Sequence, residues 1–561
     1  MRKTISLLLF LSSFTVTFGQ NFSNKGKDFW VGYGYHVRMS NNQQDMVLYF
    51  ATEEVTNITI TIPGLGYTQT LTSPAFPTVV TSAPIPKTGT QDARLRVEST
   101  TPEDKGIHIT SDKPMVAYAH IYNSNVSGAT ILFPTPTLGK EYYSINYTNI
   151  SNENNSNGWF YVVATDTGTT TVEITPSANT INHAAGVPFT INLSQGQIYN
   201  VMGQLTGQSG GGGGGGGGLW NGVDLTGSKI RSISSGTSGC KRIAVFSGSG
   251  KIGINCGANN LSADNYMVQA FPKDAWGKKY LTAPTSSLNR NIYRICVLDP
   301  ATNVLLNGSP ITVPLTNNFY YEISATTAPL KIESDQPITV AQYIATQGAC
   351  GNPSSTTNPG DPEVIYLSPV EQNIARVIWN ATPNFNITQH YYNVVIKNAG
   401  TAISSFRLDG APINPTAFTT HPQDPSFSYL SQQLSASGVH TIESDSGFNA
   451  IAYGFGSAES YGYNAGTNIR DLYKFLQPLN PYSISPDPVA CTGSPVFLTV
   501  TLPFQPTSLL WNFFNNPNQS PNNNVLVNAP VADSTYFIGA KQVWRYRLPS
   551  LYTFSLANST P

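Results

Sequence analysis

Histidine and cysteine, the residue types that most often carry chemistry, are sparse in this chain of 561 residues. The seven histidines are scattered, and they are His36, His108, His120, His183, His390, His421 and His440. No carboxylate is spaced to complete a metal site with His108 and His120, and no His-Glu-x-x-His pattern is present. Packing or surface exposure accounts for these histidines, so the sequence predicts no catalytic residue, no metal site and no cofactor.

The five cysteines are Cys240, Cys256, Cys296, Cys350 and Cys491. None forms a Cys-x-x-Cys or a Cys/His pattern of the kind that binds zinc or performs redox work. Cys240 and Cys256 flank residues 243–254, whose apolar strands and central Gly-Ser turn predict a hairpin, so we predict a disulfide between them. Cys296 with Cys350 is the second candidate pair, and Cys491 is expected to be free.

Three aspartates recur at the same point of a repeated signature: Asp112, Asp335 and Asp445. The signature occupies residues 106–120 and 330–343, and it returns more loosely at 240–246 and 443–453, where Cys240 takes the aspartate position in one copy. Recurrence invites a calcium or catalytic interpretation. Because Ser-Asp-x-Pro is typical of a turn, we predict a strand, turn, strand unit in which each aspartate bonds the backbone of its own turn.

The elements that position these residues are four repeats of about 110 residues each, the size of a small β-domain. Alternating apolar and polar residues, as in Phe29–Tyr33 and Ile58–Ile62, are separated by Gly, Pro and Asn. This pattern predicts an all-β fold of tandem antiparallel β-sandwich-like modules. A β-propeller-like closure of the repeats is the structural alternative.

Composition limits the classes of function. Only 11% of residues are charged, and 30 basic residues face 31 acidic ones for a net charge of −1. This balance gives no basic surface for nucleic acid, and the Tyr-rich, Thr-rich composition is common in extracellular β proteins. Met1–Lys3 and the apolar run after it predict a signal peptide over 1–19, and no later segment is long and apolar enough to span a membrane.

The predicted domains after the signal peptide are residues 20–262 with modules 1 and 2, residues 263–482 with modules 3 and 4, and residues 483–561. The glycine run Gly210–Gly218 lacks the Lys and hydroxyl of a phosphate loop, so we interpret it as a surface loop.

Two motifs, Asn24–Tyr33 and Asp264–Tyr280, carry a resemblance to the IgGFc-binding protein N-terminal domain family. The likeness covers roughly residues 25–480, and the family includes a mucus-associated protein of animals and exported proteins of Bacteroidetes-type bacteria. The resemblance implies a secreted or surface adhesion role without catalytic residues.

The last segment is similar to a PKD-like, Ig-like module, on Cys491–Val500, Leu510–Phe513 and Tyr546–Phe554. Phe514 replaces the glycine that usually follows Trp-x-Phe, so the match is partial. In bacterial relatives such modules often precede a sorting region for type IX secretion. None is visible before Pro561, and we expect either an early end or a fragment, with surface attachment through the missing region.

Two function classes follow from these observations. The first is a non-enzymatic secreted or cell-surface protein that recognises an extracellular glycoprotein or matrix partner through loops or edge strands. The second is a secreted glycan hydrolase whose paired carboxylates come from distant loops and lie about 5 to 9.5 Å apart in a cleft. A purely structural surface role is the remaining possibility, and the residues that bind a ligand are unknown from sequence.

Overall fold

The computed structural model describes residues 23–209, 218–233, 240–257, 262–353, 360–382, 387–472, 475–479, 495–513, 516–538 and 541–555. They belong to two compact units, Phe22–Leu472 and a second unit that includes Tyr473–Pro561. The predicted signal peptide, the run Gly210–Gly217 and Cys491 lie outside the described residues.

The first unit contains four consecutive modules of antiparallel strands. Module 1 has β1 (Lys25–Val31), β2 (Asp45–Thr52), β3 (Asn57–Ile62), β4 (Tyr67–Thr72), β5 (Thr78–Thr81), β6 (Ile107–Asn123) and β7 (Val126–Ile131). Module 2 has β8 (Glu141–Tyr143), β9 (Asn149–Ser151), β10 (Gly158–Ala164), β11 (Thr170–Thr175), β12 (Phe189–Leu193), β13 (Ile198–Met202), β14 (Leu205–Ser209), β15 (Leu219–Gly222), β16 (Lys229–Ile233), β17 (Ile243–Ile252) and β18 (Asp264–Gln269).

Modules 3 and 4 repeat the same order of long strands and short hairpins. Module 3 has β19 (Gly277–Leu281), β20 (Asn291–Val297), β21 (Val304–Leu306), β22 (Ser309–Pro310), β23 (Leu315–Thr316), β24 (Tyr320–Thr326), β25 (Lys331–Ile344) and β26 (Glu363–Tyr366). Module 4 has β27 (Ile374–Ala381), β28 (Ile387–Lys397), β29 (Arg407–Leu408), β30 (Ala411–Pro412), β31 (Thr419–Thr420), β32 (Phe427–Gln433), β33 (Gly438–Gly456) and β34 (Glu459–Gly466).

The helical segments among the described residues are short 3-10 turns, and none could cross a membrane by length and apolarity. They are Val37–Asn41, Pro63–Leu65, Gly89–Gln91, Thr135–Thr137, Lys273–Ala275, Val370–Gln372 and Pro415–Ala417. The prediction of an all-β fold built from sandwich-like modules is confirmed.

One long strand organises modules 1, 3 and 4: β6, β25 and β33. The second half of each long strand pairs with the module's second strand and its last strand, such as β2 and β7 around β6. The first half pairs with a short hairpin and with the module's first strand, such as β3 and β1 around β6. The long strand therefore joins two sheet halves, which enclose a continuous apolar core.

The Ser-Asp-x-Pro signature lies inside this long strand, so the predicted hairpin turn is wrong. In β6 the pairing with β1 passes from Thr110 directly to Met115 and skips the four residues between them. The same skip separates Glu333 from Ile338 in β25. Residues left out of the ladder form a bulge that bends the strand, and proline fits there because it donates no backbone hydrogen bond.

Module 2 shows what happens when the long strand is interrupted. The described part of its equivalent consists of β16, which ends at Ile233, and β17, which begins at Ile243, and the two belong to separate four-stranded sheets. One sheet has the order β12-β11-β16-β8 and the other has the order β13-β10-β17-β18. The interruption coincides with the loosest copy of the signature, which begins at Cys240.

Tyrosine hydroxyl groups make hydrogen bonds between modules. The Tyr161 hydroxyl of module 2 donates to the Gly32 carbonyl oxygen of module 1 at 3.0 Å, and the Tyr343 hydroxyl of module 3 donates to the Asn146 carbonyl oxygen at 2.7 Å. The Tyr118 hydroxyl of module 1 donates to the Ile378 carbonyl oxygen of module 4 at 3.0 Å. The first and last modules are therefore in contact.

A backbone clasp ties the start of the unit to its end. The Asn24 amide donates to the Thr467 carbonyl oxygen at 3.0 Å, and the Thr467 amide donates to the Asn24 side chain at 3.0 Å. Each module keeps its own pair of sheet halves, and the described residues show no closed propeller.

The described part of the second unit is also antiparallel. Its strands are β35 (Phe475–Leu479), β36 (Val496–Leu502), β37 (Ser508–Trp511), β38 (Gln519–Ser520), β39 (Val525–Asn528), β40 (Ser534–Ile538) and β41 (Lys541–Phe554). β36 pairs with β35 and β41, and β37 pairs with β39. Trp511 and Phe513 pack with Tyr552 in a small core.

Candidate functional site where the last strands of the modules meet

The recurring aspartates, which we call the bend aspartates (Asp112, Asp335 and Asp445), hold neighbouring strands in place. Asp112 accepts hydrogen bonds from the backbone and side-chain amides of Asn57, the first residue of β3, both at 2.8 Å. Asp335 accepts from the Asn303 backbone amide at 2.9 Å. Asp112 and Asp335 thus cap the strand that pairs with the first half of the long strand, and Asp445 accepts from the Thr401 hydroxyl in a loop. All three contacts are structural and are made to a different segment from their own, which corrects the prediction that each aspartate bonds its own turn.

The cysteines pair differently from the prediction. Cys256 and Cys350 form a disulfide, with Cα atoms 5.3 Å apart, and Cys240 and Cys296 are free thiols. The predicted pairing of Cys240 with Cys256 is wrong because residues 243–252 form one strand, β17, and not a hairpin. A ten-residue strand holds its ends roughly 30 Å apart, whereas a disulfide needs Cα atoms within about 7 Å. The second candidate pair is also wrong, since Cys296 is buried within β20.

The histidines have packing and hydrogen-bonding roles. His108 stacks on Trp30 with ring centroids 4.0 Å apart, and its Nε2 lies 2.8 Å from the Asp28 carboxylate. Burial lowers the pKa of His120 to about 3. Among the described residues no three of His, Cys, Asp and Glu are grouped so that they could hold a metal ion.

The last strands of the four modules, which we call the axial strands (β7, β18, β26 and β34), come together in the middle of the unit. β7 contacts both β18 and β34, and β26 contacts the same two strands. They border a small cavity that is lined by Ile131, Val268, Ile365 and Tyr463, among others. The axial strands therefore bring equivalent positions of four modules into one neighbourhood.

Four acidic residues lie where the axial strands begin, and we call them the axial carboxyl cluster: Asp264, Asp361, Glu363 and Glu459. Asp264, Glu363 and Glu459 are the first residues of β18, β26 and β34, and Asp361 lies two positions before β26. All four are at most 1% exposed. The cluster thus gathers carboxyl groups from three modules in a region that excludes solvent.

Hydrogen bonds link this cluster to serines of neighbouring modules. The Ser460 hydroxyl lies 3.1 Å from Asp264 Oδ2 and 3.4 Å from Glu363 Oε1. The Ser127 backbone amide of β7 donates to Asp264 Oδ1, and the Ser262 hydroxyl donates to Asp361 Oδ1. Module 1 thereby reaches the cluster through its own axial strand.

Burial is the main cause of the pKa values in the cluster. It raises the pKa of Asp361 to about 6, against the opposing effects of the Ser262 hydrogen bond and the Lys251 charge. It raises the pKa of Glu459 to about 8, and the nearby Asp361 charge adds to the effect. For Asp264 and Glu363, burial and the other carboxylates raise the pKa well above its ordinary range.

A second buried charge, Arg294 of β20, shows the opposite arrangement. Its guanidinium donates to Asp224 at 2.6 Å and to Glu322 at 2.8 Å, and it lies 4.4 Å from the Tyr147 ring centroid. Asp224 and Tyr147 belong to module 2, so Arg294 joins modules 2 and 3. Its charge is balanced by carboxylates, whereas the axial cluster is not balanced in this way.

A second, shallow cleft lies between modules 3 and 4 and is lined by residues such as Thr282, Gln342, Ser368 and Asn393. No Asp, Glu, His or Cys lines this cleft or the axial cavity. The axial cluster, whose carboxyl groups have raised pKa values, is closed to solvent, and so is Glu98, whose pKa burial also raises. Neither cleft therefore offers the pair of accessible carboxylates that glycan hydrolysis requires.

Sequence reasoning missed the axial cluster, although a signal exists. In modules 2, 3 and 4 an acidic residue stands at the head of an otherwise apolar or aromatic strand, as in Asp264-Asn-Tyr, Glu363-Val-Ile and Glu459-Ser-Tyr. From sequence alone, an acidic residue at this position is expected to face solvent at the start of its strand. It is buried only because the modules pack against one another.

Comparison with known families places this architecture. A family model described as IgGFc binding protein matches residues 128–454, more than half of the chain, from β7 into the long strand of module 4. No curated protein gives a significant match. The match includes Asp264, Asp361 and Glu363 of the axial cluster. The chain belongs to the IgGFc binding protein family, a family of binding proteins.

Proposed function

We propose that this chain is a non-enzymatic secreted or cell-surface protein that recognises an extracellular protein or glycoprotein partner. The observation that carries the proposal is the family match over residues 128–454. The partner is defined here by class, as a folded extracellular protein with or without glycans. Immunoglobulin G is one member of the panel to be tested, because a family description does not transfer a ligand to every member.

The outer strands of the modules support a recognition role. β4, β12, β22 and β30 each end the strand order of their sheet, so one side of each strand has no neighbouring strand among the described residues. Both residues of β22 and of β30 are exposed. Edge strands of this kind can pair with a strand of a partner. Four equivalent edges in one unit would also allow several weak contacts to act together.

The two clefts described above support recognition over catalysis. Their linings are apolar or carry amides and hydroxyls, which bind by hydrogen bonds but do not act as general acids or bases at neutral pH.

Export and display form the second part of the proposal. The predicted signal peptide over residues 1–19 would direct the chain out of the cell. Residues 483–561 would form a PKD-like spacer, and the packing of Trp511 and Phe513 against Tyr552 supports this resemblance. We further propose a Bacteroidetes-type surface protein attached through a type IX sorting region beyond this segment.

The test is a binding panel with residues 21–480 immobilised through a C-terminal tag. The panel contains immunoglobulin G, its Fc and Fab fragments, mucin, fibrous matrix proteins and a glycan array. We expect saturable capture of at least one protein or glycoprotein, lost when the immobilised unit is heat-unfolded. Release of reducing sugar from any glycan would support the hydrolase instead, and failure of every ligand to bind would favour a purely structural surface role.

A further inference from the structure

The axial carboxyl cluster has no cation of its own among the described residues. The ammonium group that acts on it is that of Lys251 in β17, which lowers the pKa of Asp361. Lys251 Nζ is already paired with Glu153 at 2.7 Å, and Glu153 also binds Arg38 at 2.5 Å. The His36 Nε2 donates to the carbonyl oxygen of Val126, the first residue of β7, at 3.3 Å. Burial lowers the pKa of His36 to about 3, so it is neutral.

The hydrogen bonds around Ser460 are best satisfied when a carboxyl group of the cluster carries a proton. A serine hydroxyl carries one proton, yet Ser460 Oγ lies within hydrogen-bond distance of both Asp264 Oδ2 and Glu363 Oε1. It can donate to only one of these oxygens. The other contact is a hydrogen bond only if that carboxyl is protonated and donates to the serine oxygen.

Glu459 gives an independent observation of the same kind. The side chain is fully buried, and among the described residues no group makes a hydrogen bond of good geometry to either of its carboxyl oxygens. The Ser127 side chain and the Val126 backbone amide are close enough to lower the pKa of Glu459, but the Ser127 hydroxyl donates to the Ser460 carbonyl oxygen at 2.9 Å. Asp361 Oδ2 likewise has no hydrogen-bond partner among the described residues. Burial removes these carboxyl groups from solvent and few donors face them, so the neutral acid is the form that this environment favours.

A metal ion is the other way to balance buried carboxylates. The described residues contain no group of three His, Cys, Asp or Glu placed to hold one. The proton is therefore the ligand that fits the cluster.

We propose that the axial carboxyl cluster is a proton-dependent latch between the modules, which holds β18, β26 and β34 together when its carboxyls are neutral and loosens them when its carboxyls ionise. Ionisation puts like charges from three modules next to one another without solvent, and module 1 is affected through Ser127.

The sign follows from the direction of the pKa shifts. Each carboxyl of the cluster has a higher pKa in the folded protein than in the unfolded chain. Its favourable contribution is complete below the unfolded pKa, near pH 4, and is lost as the pH rises through the folded value. With Asp361 at about 6 and Glu459 at about 8, the loss falls between pH 4 and pH 9.

The test compares the full chain with Glu459→Gln, in which a neutral amide replaces the acid, between pH 5 and pH 9. We expect the thermal midpoint of the wild-type first unit to fall by roughly 5 °C or more over this range, with a clearly smaller fall for the variant. At pH 8.5 the amides of the axial strands should exchange about tenfold more slowly in Glu459→Gln than in the wild type. At pH 5 the two proteins should exchange alike.

Glu54→Gln is the matched control, because this side chain is 60% exposed and lies outside the cluster, and it should follow the wild type at every pH. Asp361→Asn provides a second probe if Glu459→Gln does not fold. The latch is overturned if the wild-type midpoint stays level or rises from pH 5 to pH 9. It is also overturned if 1 mM Ca²⁺ removes the pH dependence at pH 8.5, since the cluster would then be a cation site. These measurements use no binding partner. A failure of the latch proposal can therefore be distinguished from a failure of the binding panel.

Discussion

The bend aspartates and the axial carboxyl cluster both recur from module to module, yet the surroundings of Asp112 and Asp445 move their pKa values in the opposite direction from those of the cluster. Asp112 and Asp445 are exposed and accept hydrogen bonds, chiefly from Asn57 and from Thr401, which lower their pKa. Burial raises the pKa of Asp264 and Glu459. The first set stabilises the protein as ionised carboxylates and the second as neutral acids. Repetition of an acidic residue in a sequence therefore says nothing about its charge until its neighbours are known.

The largest effect is expected from removing the disulfide that crosslinks modules 2 and 3 beside the axial cluster. The double variant Cys256→Ser, Cys350→Ser opens a loop with a sequence separation of 94 residues. We expect a loss of about 4 kcal/mol in the free energy of unfolding, because the unfolded chain regains the entropy of that loop. Urea unfolding at pH 7 measures it.

The control for this experiment is Cys240→Ser, since Cys240 is an exposed free thiol. Its stability should match that of the wild type. If the double variant unfolded like this control, the crosslink would contribute nothing and the noncovalent contacts would hold modules 2 and 3 together on their own.

The next largest effect is expected from removing the charge of Arg294. Arg294→Met should lower the free energy of unfolding, measured in urea, by about 3 kcal/mol, because the largely buried Asp224 carboxylate loses its cation. The loss should be smaller at pH 5 than at pH 8, because the lower pH favours the neutral form of a buried carboxyl group that has lost its cation. Arg96→Met, at a side chain that is 48% exposed, is the control and should stay within about 0.5 kcal/mol of the wild type. An equal loss at both pH values would show that packing, and not charge, is what Arg294 supplies.

A smaller change in stability, of opposite sign, is expected in the axial carboxyl cluster. Glu363→Gln should raise the free energy of unfolding at pH 8 by roughly 1 kcal/mol, because the amide cannot ionise next to Asp361 and Glu459. The gain should shrink toward zero at pH 4, where the wild-type acid is neutral. A variant that is less stable than the wild type at pH 8 would contradict the neutral-acid view of the cluster.

The smallest effect is expected at the bend. Asp112→Asn should lower the thermal midpoint only slightly at pH 7. The carboxylate is exposed to water in the folded protein, so its interactions with Asn57 contribute little to stability. A lowered pKa means that the wild-type advantage is present above pH 3.8 and disappears as the pH falls. The variant and the wild type should therefore converge at pH 3, and above that pH the wild type should be the more stable protein, the opposite sign from Glu363→Gln. An Asp112→Asn variant that is more stable than the wild type at pH 7 would erase the distinction between the two sets.

Much of the fold was predictable because period-two alternation and repeated signatures are local properties of the sequence. The bulge was misjudged because Ser-Asp-x-Pro suits a turn and a bulge equally well, and the choice depends on whether β1 or β19 lies alongside. The disulfide was missed because Cys256 and Cys350 meet only through the packing of modules 2 and 3. The axial cluster was missed for the same reason, since strand alternation does not tell which strand ends a neighbouring module will cover.

The clasp between Asn24 and Thr467 has a consequence for how the chain matures. The two residues are 443 positions apart, so this contact forms only after nearly the whole first unit has been synthesised. Module 1 can fold early, as soon as it has been synthesised. The residue just before β1, however, can bind Thr467 only after module 4 has been synthesised. Closing so long a loop is slow compared with forming a hairpin, which makes the clasp a natural final step in assembly. Until module 4 has folded, the surface of module 1 around Tyr118, whose hydroxyl later donates to the Ile378 carbonyl oxygen, stays exposed to solvent. Exposed apolar surface of this kind is what chaperones bind during folding.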